Sequence, residues 1–178
     1  MKWLEHLFGG RNNMAALAPG AQAPELSLTS MDGGKFSLSE ALQRGPVFAA
    51  FFKVSCPVCQ YAFPFFERLY KAHAGGKTSF VAISQDDKRN TAAFLREYGV
   101  TFPTLLEDPN GYAVSNAYGL TNVPTWFLIA PDGTIEMSSV GWSKKDIEEL
   151  NVRLGQAGPT SAMPLFHAGE DVRDFRAG

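Results

Sequence analysis

Residues 46–53 read Pro-Val-Phe-Ala-Ala-Phe-Phe-Lys, an apolar run that no polar side chain interrupts before Lys53. Successive side chains of a strand point to opposite faces, so a run without alternation fits a strand covered on both sides. Such a strand needs packing layers above and below it, which restricts the chain to layered α/β architectures. Residues 78–84 (TSFVAIS) read as a second buried strand. Between the two, Cys59, Ala62, Phe63, Phe66, Leu69 and Tyr70 recur at helical spacing over 57–73. Pro57 suits the first helical position, where a missing N–H costs nothing. Pro64 falls inside the helix, where proline removes a backbone hydrogen bond at a cost of about 3 kcal/mol, so a specific packing constraint is expected there.

The rest of the chain fits around this βαβ unit. Residues 25–28 and 35–38 flank Met31-Asp32-Gly33-Gly34, a hairpin signal, and Ser39 is placed to cap a short helix through Gln43. Asp86-Asp87 can cap a helix over 88–98 that Gly99 stops. Residues 102–106 read as a short extended piece and 111–118 as a short helix. Strands are expected over 124–130 and 134–141, joined by Pro131-Asp132-Gly133, and then a helix over 143–154 in which Ser143 and Asp146 resemble a capping box. The expectation is an α/β fold with a central mixed β-sheet, helices on both faces and an N-terminal β-hairpin extension.

Composition supports one globular domain. The chain has 178 residues, 45% hydrophobic and 19% charged, with a formal net charge of -2. A chain of this size buries roughly 70% of its unfolded surface, so its core needs no covalent staple. Near-balanced charge argues against nucleic-acid binding, and the apolar content argues against disorder. Residues 1–19 read as an N-terminal helix and linker, with Trp3, Leu4, Leu7 and Phe8 at amphipathic spacing. Residues 20–154 form the expected domain, and 155–178, rich in Gly and Pro, a tail draped over the surface or disordered. No signal peptide is recognisable and no apolar stretch reaches about 18 residues, so a cytoplasmic protein without a membrane span is expected.

The two cysteines, Cys56 and Cys59, are spaced C-x-x-C at the junction of the first buried strand and its helix. A disulfide closing so short a loop removes little chain entropy, which makes reactivity the better explanation. The three histidines, His6, His73 and His167, offer no paired spacing for zinc, so no metal is expected. His73 is read as favouring the helix C-terminus, and Trp142 and Tyr118 as packing residues. At a helix N-terminus, unpaired N–H groups and the positive end of the dipole stabilise a thiolate. Cys56 is therefore the candidate nucleophile, and Cys59, one turn on and facing inward, the candidate resolving thiol. Lys53, Pro57 and Val58 are the neighbours with a possible tuning role.

With Gly20-Ala21-Gln22-Ala23-Pro24, FFKVSCPVCQYAFPFFERL, Asn122-Val123-Pro124-Thr125-Trp126-Phe127-Leu128-Ile129 and Pro131-Asp132-Gly133, residues 20–154 resemble the thioredoxin superfamily. They are most similar to its TlpA/ResA-like thiol-disulfide oxidoreductases, in the redoxin group that includes AhpC/TSA peroxiredoxins. The resemblance implies a thioredoxin-like fold, a cis Val123–Pro124 bond facing Cys56, and substrate docking at Val123 and Pro124. It also implies protein disulfide or dithiol substrates, an external electron donor and no cofactor. The chain departs from its relatives where thioredoxins carry a buried Asp (Ala50 here) and where ResA-like proteins carry a Glu (Ala62 here). Two other readings stand beside exchange. One is a peroxiredoxin-like peroxidase in which Cys59 attacks peroxide. The other is a non-catalytic binding protein with a groove lined by phenylalanine and Trp126.

Overall fold

The hairpin turn closes through Gly33, whose φ of 92° is a conformation that costs glycine little, and the Asp32 carboxylate accepts from the Gly34 N–H at 2.9 Å. Strands β1 (Ser27–Ser30) and β2 (Lys35–Ser37) leave it antiparallel, with Leu28 opposite Phe36. This computed structural model describes residues 15–158 and 162–178. The amphipathic spacing at Trp3, Leu4, Leu7 and Phe8 lies outside them. Helix α1 (Leu38–Leu42) follows at once, and its cap is Ser37 rather than the expected Ser39: the Ser37 hydroxyl accepts from the Glu40 N–H at 3.4 Å. The helix begins two residues earlier than a Ser39 cap would give, because Leu38 is drawn into the core and is 2% exposed.

The apolar run forms β3 (Val47–Phe52), buried at every position. Its side chains divide by the strand period: Phe48, Ala50 and Phe52 enter one core, while Val47, Ala49 and Phe51 enter another on the opposite face. Helix α2 (Pro57–Ala72) continues through Pro64 and returns the chain to β4 (Ser79–Ser84), parallel to β3. Then come α3 (Lys88–Glu97), capped by Asp87, β5 (Thr104–Leu106), α4 (Ala113–Ala117), and the antiparallel pair β6 (Thr125–Ile129) and β7 (Ile135–Val140). The seven strands form one mixed sheet in the order β2-β1-β5-β4-β3-β6-β7, so the N-terminal hairpin extends its β5 edge.

Helices cover both faces, as expected. Phe63, Phe66 and Leu69 of α2, with Phe94 of α3, pack on one face, and Leu38, Ala41 and Tyr118 on the other. Each fully buried phenylalanine contributes about 1.5–3 kcal/mol by leaving water. Trp142 and Tyr118 are packing residues, 1% and 0% exposed. His73 does more than sit at a helix end: its Nε2 meets Asn151 Oδ1 at 2.8 Å, joining α2 to a later helix.

That helix is α5 (Lys144–Gln156), entered from the short strand β8 (Trp142–Ser143). Only half of the expected capping box forms. The Ser143 hydroxyl accepts from the Asp146 N–H at 3.2 Å, but the Asp146 carboxylate turns to the Ser139 hydroxyl at 2.6 Å. The described part of the C-terminal segment is fixed on the surface. Leu165 is buried, and β9 (Phe175–Arg176) pairs antiparallel with β8, Arg176 opposite Trp142 and Phe175 opposite Ser143.

Candidate active site

Buried β3 delivers the chain to the sheet's C-terminal end, where Lys53 to Ser55 turn it into α2 and Cys56 becomes the helix N-cap. Pro57 takes the first helical position, as its fixed φ and absent N–H favour. Cys56 is partly exposed between the exposed Ser55 and Pro57, while Cys59, one turn deeper, is completely buried. Both cysteines are free thiols. The Cys59 N–H donates to Cys56 Sγ at 3.3 Å, and the Cys56 thiol lies 3.3 Å from the Val123 carbonyl oxygen.

This arrangement drives the two thiols in opposite directions. Donation from the Cys59 side chain lowers the Cys56 thiol from 9.0 to about 6 against the opposing effect of partial burial. The backbone N–H groups of Cys59 and Val58 and the charge of Arg176 add to the lowering. Burial, above all, pushes the Cys59 thiol far up, and its hydrogen bond to Cys56 adds to that. One sulfur is thus held ready as a thiolate at neutral pH and the other is kept protonated.

The remaining residues singled out from sequence fall around this pair. The Val123–Pro124 bond is cis, as the resemblance implies, and brings Val123 against Cys56 at the start of β6. Among the described residues the Val123 N–H has no hydrogen-bond partner. Val58 acts on Cys56 through its backbone N–H. The Lys53 ammonium lies 5.5 Å from the Tyr112 ring centroid, and the Lys53 carbonyl accepts from the Cys56 N–H at 3.2 Å. Trp126 is 1% exposed and packs on Phe48 with ring centroids 5.8 Å apart, so it belongs to the core and lines no groove.

Two charges that act on the cysteines were not singled out. Arg176, from the C-terminal segment, is the cation felt at Cys56; it stacks 5.0 Å over the Tyr61 ring. Nothing in its local sequence marks it, because only the β8–β9 pairing brings it here. Asp86 raises the Cys59 thiol further. The Asp86-Asp87 pair reads as a helix cap, but Asp87 does the capping and Asp86 turns back to accept from the Val54 N–H at 2.8 Å. With Ala50 and Ala62 both buried and apolar, Asp86 is the carboxylate whose field reaches the inner thiol.

Comparison with known proteins agrees with this geometry. The AhpC/TSA family profile matches residues 19–138. The thiol-disulfide oxidoreductase ResA of Geobacillus kaustophilus is 30% identical over 75% of this chain and 76% of its own length. The thioredoxin-like protein YneN of Bacillus subtilis is 31% identical over 73% of this chain and 76% of its own. Among solved structures, a putative thiol:disulfide interchange protein DsbE from Chlorobium tepidum superposes with a TM-score of 0.66 at 27% identity, covering 80% of this chain and 99% of that one. A mixed sheet of this topology, a partly exposed thiol over a buried one at a helix start, a cis-proline beside them and a family match across two-thirds of the sequence lead to one assignment: the chain belongs to the AhpC/TSA family, as a ResA-like thiol-disulfide oxidoreductase of the thioredoxin superfamily.

Proposed function

We propose that Cys56 is the attacking thiolate and Cys59 the resolving thiol of a disulfide-exchange cycle run by the CPVC motif. The Cys56 thiolate attacks one sulfur of a client disulfide, forms a mixed disulfide and releases the first client thiolate. Cys59 then gives up its proton and attacks Cys56 Sγ, which releases the second client thiolate and leaves the Cys56–Cys59 disulfide. Two electrons pass to the client, and an external dithiol donor restores the reduced pair. Clients are protein disulfides or small thiol compounds, docked at Val123 and Pro124, and no cofactor takes part.

The observation that carries this reading is the opposed behaviour of the two sulfurs, the outer thiol lowered to about 6 and the inner one raised by burial. An attacking thiol works best with a pKa near ambient pH, and a resolving thiol must not compete for the client. The same observation weighs against a peroxidase working through Cys59, because a fully buried, protonated sulfur meets peroxide poorly. The test is reduction of insulin by the protein and its variants. Cys59→Ser is expected to accumulate a mixed disulfide with its client, and Cys56→Ser to be inert. Peroxide consumption by Cys56→Ser with Cys59 intact would overturn the reading.

A further inference from the structure

The segment after α5 returns to the mouth of the active site, held at successive points. Arg68 grips the Glu170 carboxylate with two hydrogen bonds of 2.9 and 2.7 Å, and this partner holds Glu170 down at about 2. The Tyr61 hydroxyl accepts from the Arg173 N–H at 2.9 Å. The Trp142 indole N–H donates to the Arg173 carbonyl at 2.6 Å, and the Lys144 N–H to the Asp174 carbonyl at 2.9 Å. After β9 the chain crosses Gly141, which has φ 76° and where a Cβ would lie 2.4 Å from the Arg176 oxygen and 2.7 Å from the Gly178 nitrogen. Only a glycine admits so close an approach.

The end of this strap meets the site itself. The Asn122 amide donates to the Gly178 oxygen at 3.0 Å, and a Cβ on Gly178 would fall 2.8 Å from the Val123 carbonyl oxygen. That carbonyl is the one beside Cys56 Sγ, and the N–H of the same residue is unpaired among the described residues. A free backbone N–H beside a carbonyl that accepts only from the Cys56 thiol forms an edge that an extended chain can extend by strand addition. Gly178 already stands against its acceptor. On the other side, Cys56 stays open to solvent between Ser55 and Pro57. A small disulfide can reach the sulfur from there without touching Val123, whereas an extended polypeptide cannot lie along Val123 until the strap leaves.

We propose that the end of the strap, Phe175–Gly178, determines specificity by occupying the Val123 edge, so that the closed protein accepts small disulfides and an extended polypeptide client must first displace it. This rests on Cys56 being the attacking thiol of disulfide exchange. When only a fraction of molecules is open, the apparent affinity for such a client falls by that fraction.

The test compares the intact chain with a variant lacking only Ala177 and Gly178, which keeps Arg176 near Cys56, using 2-hydroxyethyl disulfide as the small substrate and insulin as the polypeptide one. The shortened protein is expected to gain about tenfold in kcat/KM toward insulin, as an open fraction of about one-tenth implies, with little change toward the small disulfide. Equal changes toward both, or none toward insulin, would overturn the proposal. Failure of the intact chain to turn over the small disulfide would instead overturn the exchange reading. A second measurement does not depend on the shortened protein folding: Cys59→Ser, trapped as a mixed disulfide with a cysteine-containing extended peptide, is followed by amide hydrogen exchange. Faster exchange at residues 175–178 than in the same variant trapped with 2-mercaptoethanol is expected, and unchanged exchange would count against displacement.

Discussion

The backbone N–H of Cys59 donates to the sulfur of Cys56 at 3.3 Å, and the Cys59 side chain is the largest influence lowering the Cys56 thiol. The inner cysteine therefore activates the outer one while remaining protonated itself. Alkylation of Cys56 by iodoacetamide is expected to rise with pH around a midpoint of about 6, with Cys59 unreactive in the folded protein. Because donation from the Cys59 side chain is the largest cause, Cys59→Ala should move that midpoint upward, toward the ordinary thiol value. An unchanged midpoint in the variant would show that the helix start alone sets it.

The same lowering has a consequence for stability. Cys56 ionises at about 6 in the folded protein and near 9.0 when unfolded, so the unfolded chain holds the extra proton between those values. This group therefore adds stability to the reduced protein as pH rises from 6 to 9, and the contribution is lost as pH falls back through 6. Urea unfolding of reduced wild type and Cys56→Ala across that window isolates it. The difference between the two should grow with pH, and a flat difference would refute the assignment.

A stabilised thiolate also favours the reduced form, which makes a dithiol pair more oxidising. Thioredoxin, with its first thiol near ~7, sits at about -270 mV, and DsbA, near ~3.5, at about -120 mV. Cys56 at about 6 falls between them and closer to the first. Equilibration with glutathione is expected to give a potential between those two values, nearer that of thioredoxin. Arg176→Ala should shift it slightly toward the reducing side, since the Arg176 charge is the last of the contributions at Cys56.

Core packing sets a separate expectation. Phe52 of β3 and Phe63 of α2 pack with ring centroids 4.5 Å apart and planes tilted by 46°, both fully buried, on either side in sequence of the turn that carries Cys56. Phe63→Ala should cost about 3–5 kcal/mol by denaturant unfolding, since the rigid sheet cannot collapse into the space. A loss below about 1 kcal/mol would mean that the helix can move onto the sheet.

What could be read from sequence follows from how local each signal is. The β3 run, the helical spacing of α2 and the C-x-x-C between them lie within 47–72, and each signal is carried by adjacent residues. Caps were less legible: Ser37 and Ser39 are equally good acceptors, and the burial of Leu38 decides between them. Asp86 and Asp87 are likewise identical in type, and only the pairing of Asp86 with Val54 separates their roles. The C-terminal segment carries no periodic pattern because the groups that hold it, Arg68, Tyr61 and Trp142, come from elsewhere in the chain. Contacts made one residue at a time by distant partners leave no repeat to find.

Asn151 is one of these distant contacts, and its removal gives the last prediction. It is 6% exposed on α5, meets His73 Nε2 through Oδ1 at 2.8 Å, and donates from Nδ2 to the Met163 carbonyl at 2.8 Å. One side chain thus joins the end of α2, the middle of α5 and the start of the strap. Asn151→Ala removes both hydrogen bonds of this buried side chain, an expected loss of about 1–3 kcal/mol for the pair. The two halves of its role separate by hydrogen exchange. The amides of Met163, Leu165 and Phe166 should exchange faster in the variant, because the strap loses its anchor at Met163, while those of β3 and β4 should keep the order of protection seen in the wild type. If instead the sheet amides loosened as much as the strap, Asn151 would be acting through the fold as a whole rather than through the anchor at Met163.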